Sequence, residues 1–170
     1  MIITSWTIRG LNSKGKHKYL KQILNKDKPS IMLIQETKMD QQQLQEIVKK
    51  MRPIYEVMAQ DANGTAGGLA ILWNPEEVIF ENWISLPRIL SGMFKLTGME
   101  EGILISRVDG PHSPRDRKDF LNNVQTIRRI LPGNLWIIGG DFNLIRELGE
   151  KRGGIRRMDH SMEDFNELIT

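Results

Sequence analysis

Side chains that could carry chemistry follow apolar runs at three places in this chain. Each place is a short motif at the end of an apolar run, and each run predicts a buried strand. The motifs are residues 5–10 (SWTIRG), 35–37 (QET) and 139–143 (GGDFN). The carboxyl ends of strands are where α/β folds build their sites. Glu36, Asp141 and Asn143 are therefore the candidate site residues, and a carboxylate beside a carboxamide is the chemistry they offer.

The last motif has a spacing that would bring its polar groups together. Asp141 and Asn143 are separated by one residue, and residues i and i+2 of an extended backbone face the same side. Gly139 and Gly140 would let the backbone approach a phosphate closely. An Asp/Asn turn is the alternative interpretation of this motif, and a surface glutamate at a strand end is the alternative for Glu36.

The elements that must position these residues follow from the hydrophobic pattern. Strands alternate with helices early in the chain, and the middle resembles a meander, which favours a mixed sheet arrangement over a doubly wound parallel sheet. Strands are predicted at residues 1–8, 31–34, 55–58, 69–73, 78–83, 94–96, 103–108 and 135–138. Helices are predicted at residues 16–26, at 41–51 with Asp40 as the cap, from Ser113 or Asp116 to 131, and at 162–169.

Composition limits the class of protein. A chain of 170 residues is long enough for one domain with a real core. The absence of cysteine excludes disulfides and thiolate metal sites and fits a reducing compartment. No apolar stretch is long enough to cross a bilayer, and the N-terminus lacks the basic region of a signal peptide. We expect a soluble intracellular protein without a membrane partner; the choice between nucleus and cytoplasm stays open.

The charge is mildly basic. A net charge of +3 is a weak indication of nucleic-acid binding, so the distribution matters more. Clustered basic residues can follow phosphates, and they can equally be solvated helix faces and loops. The clusters are Lys14, Lys16 and Lys18; Arg115, Arg117 and Lys118; and Lys151, Arg152, Arg156 and Arg157.

Taken together, the three motifs resemble the endonuclease/exonuclease/phosphatase superfamily, and within it the endonuclease domain of plant LINE-type (non-LTR) retrotransposons. The resemblance covers nearly the whole chain, so residues 1–170 are expected to form one truncated domain. It implies an α/β fold with two packed sheets flanked by helices. It also implies an incomplete C-terminus, because the superfamily's final Ser-Asp-His motif lies downstream of the GGDFN block and beyond residue 170.

The resemblance also implies a reaction, the hydrolysis of a phosphodiester with a divalent metal. Glu36 matches the glutamate that holds Mg²⁺, a cation that needs few protein ligands. Asp141 would position the attacking water and Asn143 would support the phosphate. Arg115 and Arg117 lie in a block resembling the family's Tyr-Gly-Pro segment and are candidates for substrate binding.

Two positions depart from the family's pattern. Thr7 stands where the first motif normally has Asn, and a hydroxyl is a shorter substitute for a carboxamide. Asp109 stands where a Tyr normally precedes Gly-Pro, and its carboxylate would repel a substrate phosphate. These departures and the missing motif favour a retrotransposon-derived domain with impaired catalysis that acts through protein or nucleic-acid binding. A Mg²⁺-dependent endonuclease that nicks DNA is the alternative, and a third interpretation is a fragment of a longer reading frame.

The resemblance further suggests a partner. Strands missing from the second sheet would leave an exposed edge, and exposed edges pair with other chains. We therefore expect a homodimer formed by edge pairing or domain swapping, or a bound protein partner, with DNA as a further candidate.

Overall fold

The structure, a computed structural model, describes residues 1–62, 67–131, 135–153 and 160–169. None of the helices in those ranges combines the length and apolar character needed to cross a membrane. The strands are β1 (Ile3–Thr7), β2 (Ile31–Gln35), β3 (Glu56–Gln60), β4 (Leu69–Trp73), β5 (Val78–Leu86), β6 (Ile89–Leu96), β7 (Gly102–Asp109) and β8 (Leu135–Asp141). The α-helices are α1 (Lys14–Gln22), α2 (Gln41–Met51), α3 (Pro114–Ile130) and α4 (His160–Ile169).

The strands form two four-stranded sheets in the orders β1-β2-β4-β3 and β5-β6-β7-β8. Each sheet is mixed. β1 pairs in parallel with β2, β7 pairs in parallel with β8, and the other pairs are antiparallel. One apolar cluster lies between the sheets, and two more join the outer faces to the helices. The predicted α/β two-sheet sandwich flanked by helices is confirmed.

The inner faces of the sandwich change character along the strands. Alternate residues of a strand share a face, and Ile103 and Ile105 of β7 belong to the core between the sheets. The same parity continues to Arg107 and Asp109 at the end of β7. In β2 it runs from Ile31 and Leu33, also in that core, to Gln35. The core therefore becomes polar where the strands end, and this end of the sandwich can build a site.

The sequence pattern predicted the bounds of α2 correctly and the bounds of two strands less accurately. α2 spans Gln41–Met51 as predicted, with Asp40 and Gln43 forming a capping box. β6 begins at Ile89, earlier than predicted, because a tight turn with Arg88 at a φ of 66° joins it to β5. β8 continues past residue 138 to Asp141, because its parallel pairing with β7 extends through both glycines. The turn predicted from residue 63 and the helix stop at 132–133 lie wholly or partly outside the described residues.

Tyr55 ties the start of β3 to the turn before β2. Its buried hydroxyl donates to the Pro29 carbonyl at 2.7 Å. Burial, aided by the Glu77 charge and opposed by Arg52, raises the pKa of Tyr55 to about 12. We expect Tyr55→Phe to lower the free energy of unfolding at pH 7 by about 1 kcal/mol in urea denaturation.

The Tyr55 pKa also predicts a pH dependence of stability. An unfolded tyrosine loses its proton near a pH of about 10. Because the folded pKa is higher, the unfolded chain releases the proton first and stability falls as pH rises from about 10 toward 12. Denaturation curves across this range should show a smaller alkaline loss in Tyr55→Phe than in the wild type. Equal losses in the two proteins would contradict this assignment.

Candidate active site at the ends of β2, β7 and β8

Three carboxylates lie at one end of the sandwich. Glu36 directly follows β2, Asp109 is the last residue of β7, and Asp141 is the last residue of β8. Asp109 and Asp141 are register partners across the parallel pair. Burial raises the pKa of the Asp109 carboxyl, Arg88 lowers it, and the charges of Glu36 and Asp141 raise it further. The three groups are thus close enough for their negative charges to interact.

A cleft of about 710 Å³ opens at this end. Glu36 and Asp109 line it together with Lys38, Arg88 and His112. Arg88 reaches over Asp109, with its Nη1 3.8 Å from Oδ2 of the carboxylate and 3.2 Å from the backbone carbonyl to which it donates. Cationic side chains beside carboxylates suit an anionic ligand that a metal ion could bridge.

Asp141 and Asn143 form a turn beside this cleft. β8 ends at Asp141, and Asn143 has a φ of 49°, so the two residues do not share an extended backbone. The Asp141 carboxylate accepts from the backbone N–H of Asn143 at 2.9 Å, which is the pattern of an Asx turn. The Asn143 side-chain amide donates to the Gly110 carbonyl at 2.6 Å. Asn143 therefore fixes the loop after β7.

The two candidate arginines lie on the first turns of α3, away from the cleft. Arg115 is exposed, and Arg117 is half-buried. Arg117 lines a small cavity of about 130 Å³ together with Asn143 and Lys151. The structure thus brings Arg117 close to Asn143 but places neither arginine in the wall of the main cleft.

The backbone around the cleft is unusual. Glu36, Lys38 and Arg88 have left-handed φ values of 59°, 56° and 66°. Such conformations cost on the order of 1 kcal/mol or more for non-glycine residues and persist where the surroundings enforce them. Here the Glu36 carbonyl accepts from Gly10 N–H at 2.6 Å, and Lys38 N–H donates to the Gly67 carbonyl at 3.0 Å. Strain held in this way is typical of a functional site.

Arg107 is a buried charge near the cleft that the sequence analysis did not select as a site residue. Its side chain is 1% exposed, and its guanidinium donates to Ser5 Oγ at 2.5 Å, to Thr7 Oγ1 at 3.4 Å and to Gln35 Oε1 at 2.7 Å. Gln35 in turn donates from Nε2 to Asp109 Oδ1 at 2.6 Å. The signal was the strand parity, which places Arg107 on the same face as Ile105.

Arg107 also places a positive charge behind the carboxylates. Burial lowers its pKa to about 10, while the charges of Asp109 and Asp141 act in the opposite direction. A guanidinium with this pKa still carries its charge at neutral pH. The Thr7 hydroxyl, which stands at the position where the resemblance leads one to expect a carboxamide, lies against this guanidinium.

The carboxylates present fit a hard divalent cation. Mg²⁺ keeps several waters and is usually bound through one or two carboxylates. The described residues contain no group of three His, Cys, Asp or Glu side chains arranged to hold a metal ion. Glu36 and Asp141 lie at the ends of strands in opposite sheets, and the charges of both raise the pKa of the Asp109 carboxyl. Either could supply one of the carboxylates that Mg²⁺ uses.

Comparison with known families decides the assignment. Residues 5–166 match the model of the endonuclease/exonuclease/phosphatase family. The chain belongs to this family. The match begins within β1 and extends into α4, and it therefore includes all three motifs singled out in the sequence.

Solved structures with the same fold are distant in sequence. A humanized D. rerio TDP2 has 18% identity and a TM-score of 0.62, with 84% of this chain covered. The mannosyl-6-phosphatase of Bacteroides thetaiotaomicron has 16% identity and a TM-score of 0.67, with 97% covered. The human Nocturnin catalytic domain, with bound sulfate, has 16% identity and a TM-score of 0.61, with 84% covered. The chain spans 62%, 69% and 64% of these three chains, respectively. No curated protein matches the sequence significantly.

Proposed function

We propose that this chain binds nucleic acid in the cleft and hydrolyses a phosphodiester bond with the help of a divalent cation. The observation that carries the proposal is that Glu36 lines the cleft beside the cationic Lys38 and Arg88. Asp141, at the end of β8, lies close enough to this end that its charge, like that of Glu36, raises the pKa of the Asp109 carboxyl. Carboxylates that hold a cation and cations that hold a phosphate are the two requirements of this reaction.

Each side chain has a role that follows from its place. Glu36 and Asp141 would hold Mg²⁺, which when bound stabilises negative charge developing on the phosphate oxygens. Asp141 is also the group that can orient the attacking water and accept its proton. Lys38 and Arg88 would bind the phosphate. Asn143 shapes the site by holding the Gly110 carbonyl, which keeps Asp109 and Asp141 side by side.

One relative and the clusters of basic residues support nucleic acid as the substrate class. A D. rerio TDP2 with this fold, 21% identical to this chain, was solved in complex with a single-strand DNA product. The basic residues around Arg115 and Lys151 could follow a phosphate backbone. The resemblance of the motifs to plant LINE-type elements supports an origin in a retrotransposon endonuclease.

The test is nicking of supercoiled plasmid by the purified chain in Mg²⁺ and in EDTA. The proposal expects open circles to accumulate with Mg²⁺ and not with EDTA. Supercoiled plasmid that stays intact over a range of Mg²⁺ and Mn²⁺ concentrations would contradict hydrolysis. A gel-shift assay in the same buffers would show whether DNA is bound without being cut.

Binding without hydrolysis is the second candidate, and specific contacts favour it. Thr7 faces Arg107, Asn143 is bonded to Gly110, and the Asp109 charge lies in the cleft, so groups that could serve the reaction are otherwise engaged. In this case a protein partner or a second copy would pair with an edge strand. β8 is an edge strand of its sheet, and its Leu135 is exposed. Light scattering at micromolar concentration would detect the homodimer, and a purely monomeric species would exclude it.

Asp109 gives a prediction that separates binding from hydrolysis. We expect Asp109→Asn to tighten the binding of a single-stranded DNA oligonucleotide several-fold, because removing a like charge about 4 Å from a phosphate is worth about 1 kcal/mol in a water-filled cleft. The asparagine oxygen can still accept from Gln35. Fluorescence anisotropy in EDTA measures this affinity without turnover. Unchanged or weaker binding would show that the Asp109 charge does not face the phosphate.

A further inference from the structure

We propose that Arg107 is a positioning residue: through Gln35 it holds the Asp109 carboxylate back from the path of the bound phosphate. This inference rests on the proposed function, since it concerns how the same cleft admits a phosphodiester. It assigns a role to a buried charge that the hydrolytic roles described above do not use.

Two hydrogen bonds link Arg107 to Gln35 and Gln35 to Asp109, and this relay has a fixed direction. A guanidinium only donates hydrogen bonds, so its bond to Gln35 must end on Oε1. The other end of the amide then has only donors, and it presents Nε2 to Asp109 Oδ1 at 2.6 Å. A Gln35 amide turned the other way would place its oxygen against the Asp109 carboxylate. Arg107, which only donates, and the ionised Asp109 carboxylate, which only accepts, thus require the same orientation of the Gln35 amide.

Burial makes the relay strong. Gln35 is 2% exposed and Arg107 is 1% exposed, so the bond between them is buried from water, and the bond from Gln35 to Asp109 is partly buried. Nη1 and Nη2 of Arg107 donate to three acceptors from β1 and β2, while its buried Nε has no hydrogen-bond partner among the described residues.

The Asp109 carboxylate has space to move into if its hydrogen bond from Gln35 is lost. Asp109 lines the cleft, and its side chain is 21% exposed. Its second partner is the cationic Arg88, whose Nη1 lies 3.8 Å from Oδ2 of the carboxylate. Arg88 is itself half-exposed and would follow the carboxylate toward solvent. Without the Gln35 bond, the Asp109 charge would move into the space that a phosphate needs.

The alternative is that Arg107 only joins the two sheets, and the two roles predict different kinetics. A purely structural role would lower stability and leave the KM of the folded fraction unchanged. A positioning role raises the KM for DNA, and removing the Asp109 charge in the same chain should cancel the rise. Arg107→Met is the main variant, because methionine fills a similar length without a charge, and Arg107→Lys keeps a donor for Gln35.

The experiment measures KM and kcat for a single-stranded DNA oligonucleotide with Mg²⁺ in the wild type, Arg107→Met, Asp109→Asn and the double variant. We expect Arg107→Met to raise KM about tenfold with a smaller change in kcat, and the double variant to return to the KM of Asp109→Asn. Such non-additivity is the signature of residues that act through one another. Arg107→Lys should fall between the wild type and Arg107→Met. Circular dichroism identifies folded variants, and Arg107→Lys carries the comparison if Arg107→Met does not fold.

A second readout is independent of activity. The side-chain NH₂ signals of Gln35 in a ¹⁵N NMR spectrum, assigned with Gln35→Leu, should be well dispersed in the wild type and should collapse toward free-amide positions in Arg107→Met. Unchanged Gln35 signals, or a KM defect that persists in the double variant, would overturn the inference. A wild type that neither binds nor cuts the oligonucleotide would instead overturn the proposed function. Even then, the Gln35 signals would show whether Arg107 orients this amide.

Discussion

Asp141→Asn should lower the rate of plasmid nicking by about 10²- to 10³-fold, the loss typical when a preorganised charge or donor is removed from a reacting centre. The substitution removes the negative charge and the ability to accept a proton. It leaves an oxygen that can still accept from the Asn143 N–H, so the turn after β8 should persist. The measurement is the initial rate of open-circle formation at saturating Mg²⁺.

A matched substitution controls for this prediction. Asp119 is an exposed aspartate on α3 and does not line the cleft, so Asp119→Asn makes the same chemical change elsewhere. Its nicking rate should stay within about twofold of the wild type, as for a surface substitution away from the site. Equal rates for Asp141→Asn and the wild type would remove Asp141 from the reaction and leave it as a turn residue.

Gly110→Ala should destabilise the protein by about 3 kcal/mol, at the upper end of the cost of overpacking. Gly110 lies where β7 ends, against the segment that follows β8. An added β-carbon would overlap the carbonyl of Phe142, which is backbone and cannot rotate away. Gly110 also donates to the Asp141 carbonyl at 2.6 Å and accepts from Asn143 at 2.6 Å. Moving apart would break both bonds, so nicking should fall together with stability.

Gly15→Ala is the natural control for this substitution. Gly15 lies in α1, and an added β-carbon there would meet nothing within 4 Å. Alanine should stabilise the helix by roughly 0.5–1 kcal/mol through its higher propensity. Thermal melts of the two variants should therefore shift in opposite directions. A Gly110→Ala protein that melts with the wild type would show that the two segments are not packed together as described.

The fold could be predicted where local chemistry and periodicity agree. Asp40 followed by Gln43 satisfies the first N–H groups of α2, and this capping needs no distant partner. The glycines at 139 and 140 misled the prediction for β8, because their strand conformation depends on pairing with β7, a distant part of the chain. β6 was placed late because Ser91 and Gly92 interrupt its apolar pattern, although both lie buried within the sheet.

The sequence predicted the residue types of the site but not their backbone conformations or the hydrogen bonds between them. Glu36 and Asp141 lie at strand ends as the motifs predicted, yet the left-handed backbone of Glu36 has no signal in the sequence. Asp109 was expected to repel a substrate phosphate, and the structure places it in the lining of the cleft. Its bond to Gln35 joins residues 74 positions apart, and the bond from Arg107 to Gln35 joins residues 72 apart. Such contacts depend on how the two sheets pack, which the order of the residues does not show.

The central claim is that Glu36 takes part in cutting a phosphodiester, and the most direct test compares two glutamate variants. Glu36→Gln keeps the size of the side chain and removes its charge, while Glu46→Gln makes the same change on α2, outside the cleft lining. Wild type and both variants would be incubated with supercoiled plasmid and Mg²⁺. The proposed mechanism predicts that the wild type and Glu46→Gln nick at equal rates and that Glu36→Gln is at least about 100-fold slower. Equal nicking by all three proteins, or none by any, would contradict it.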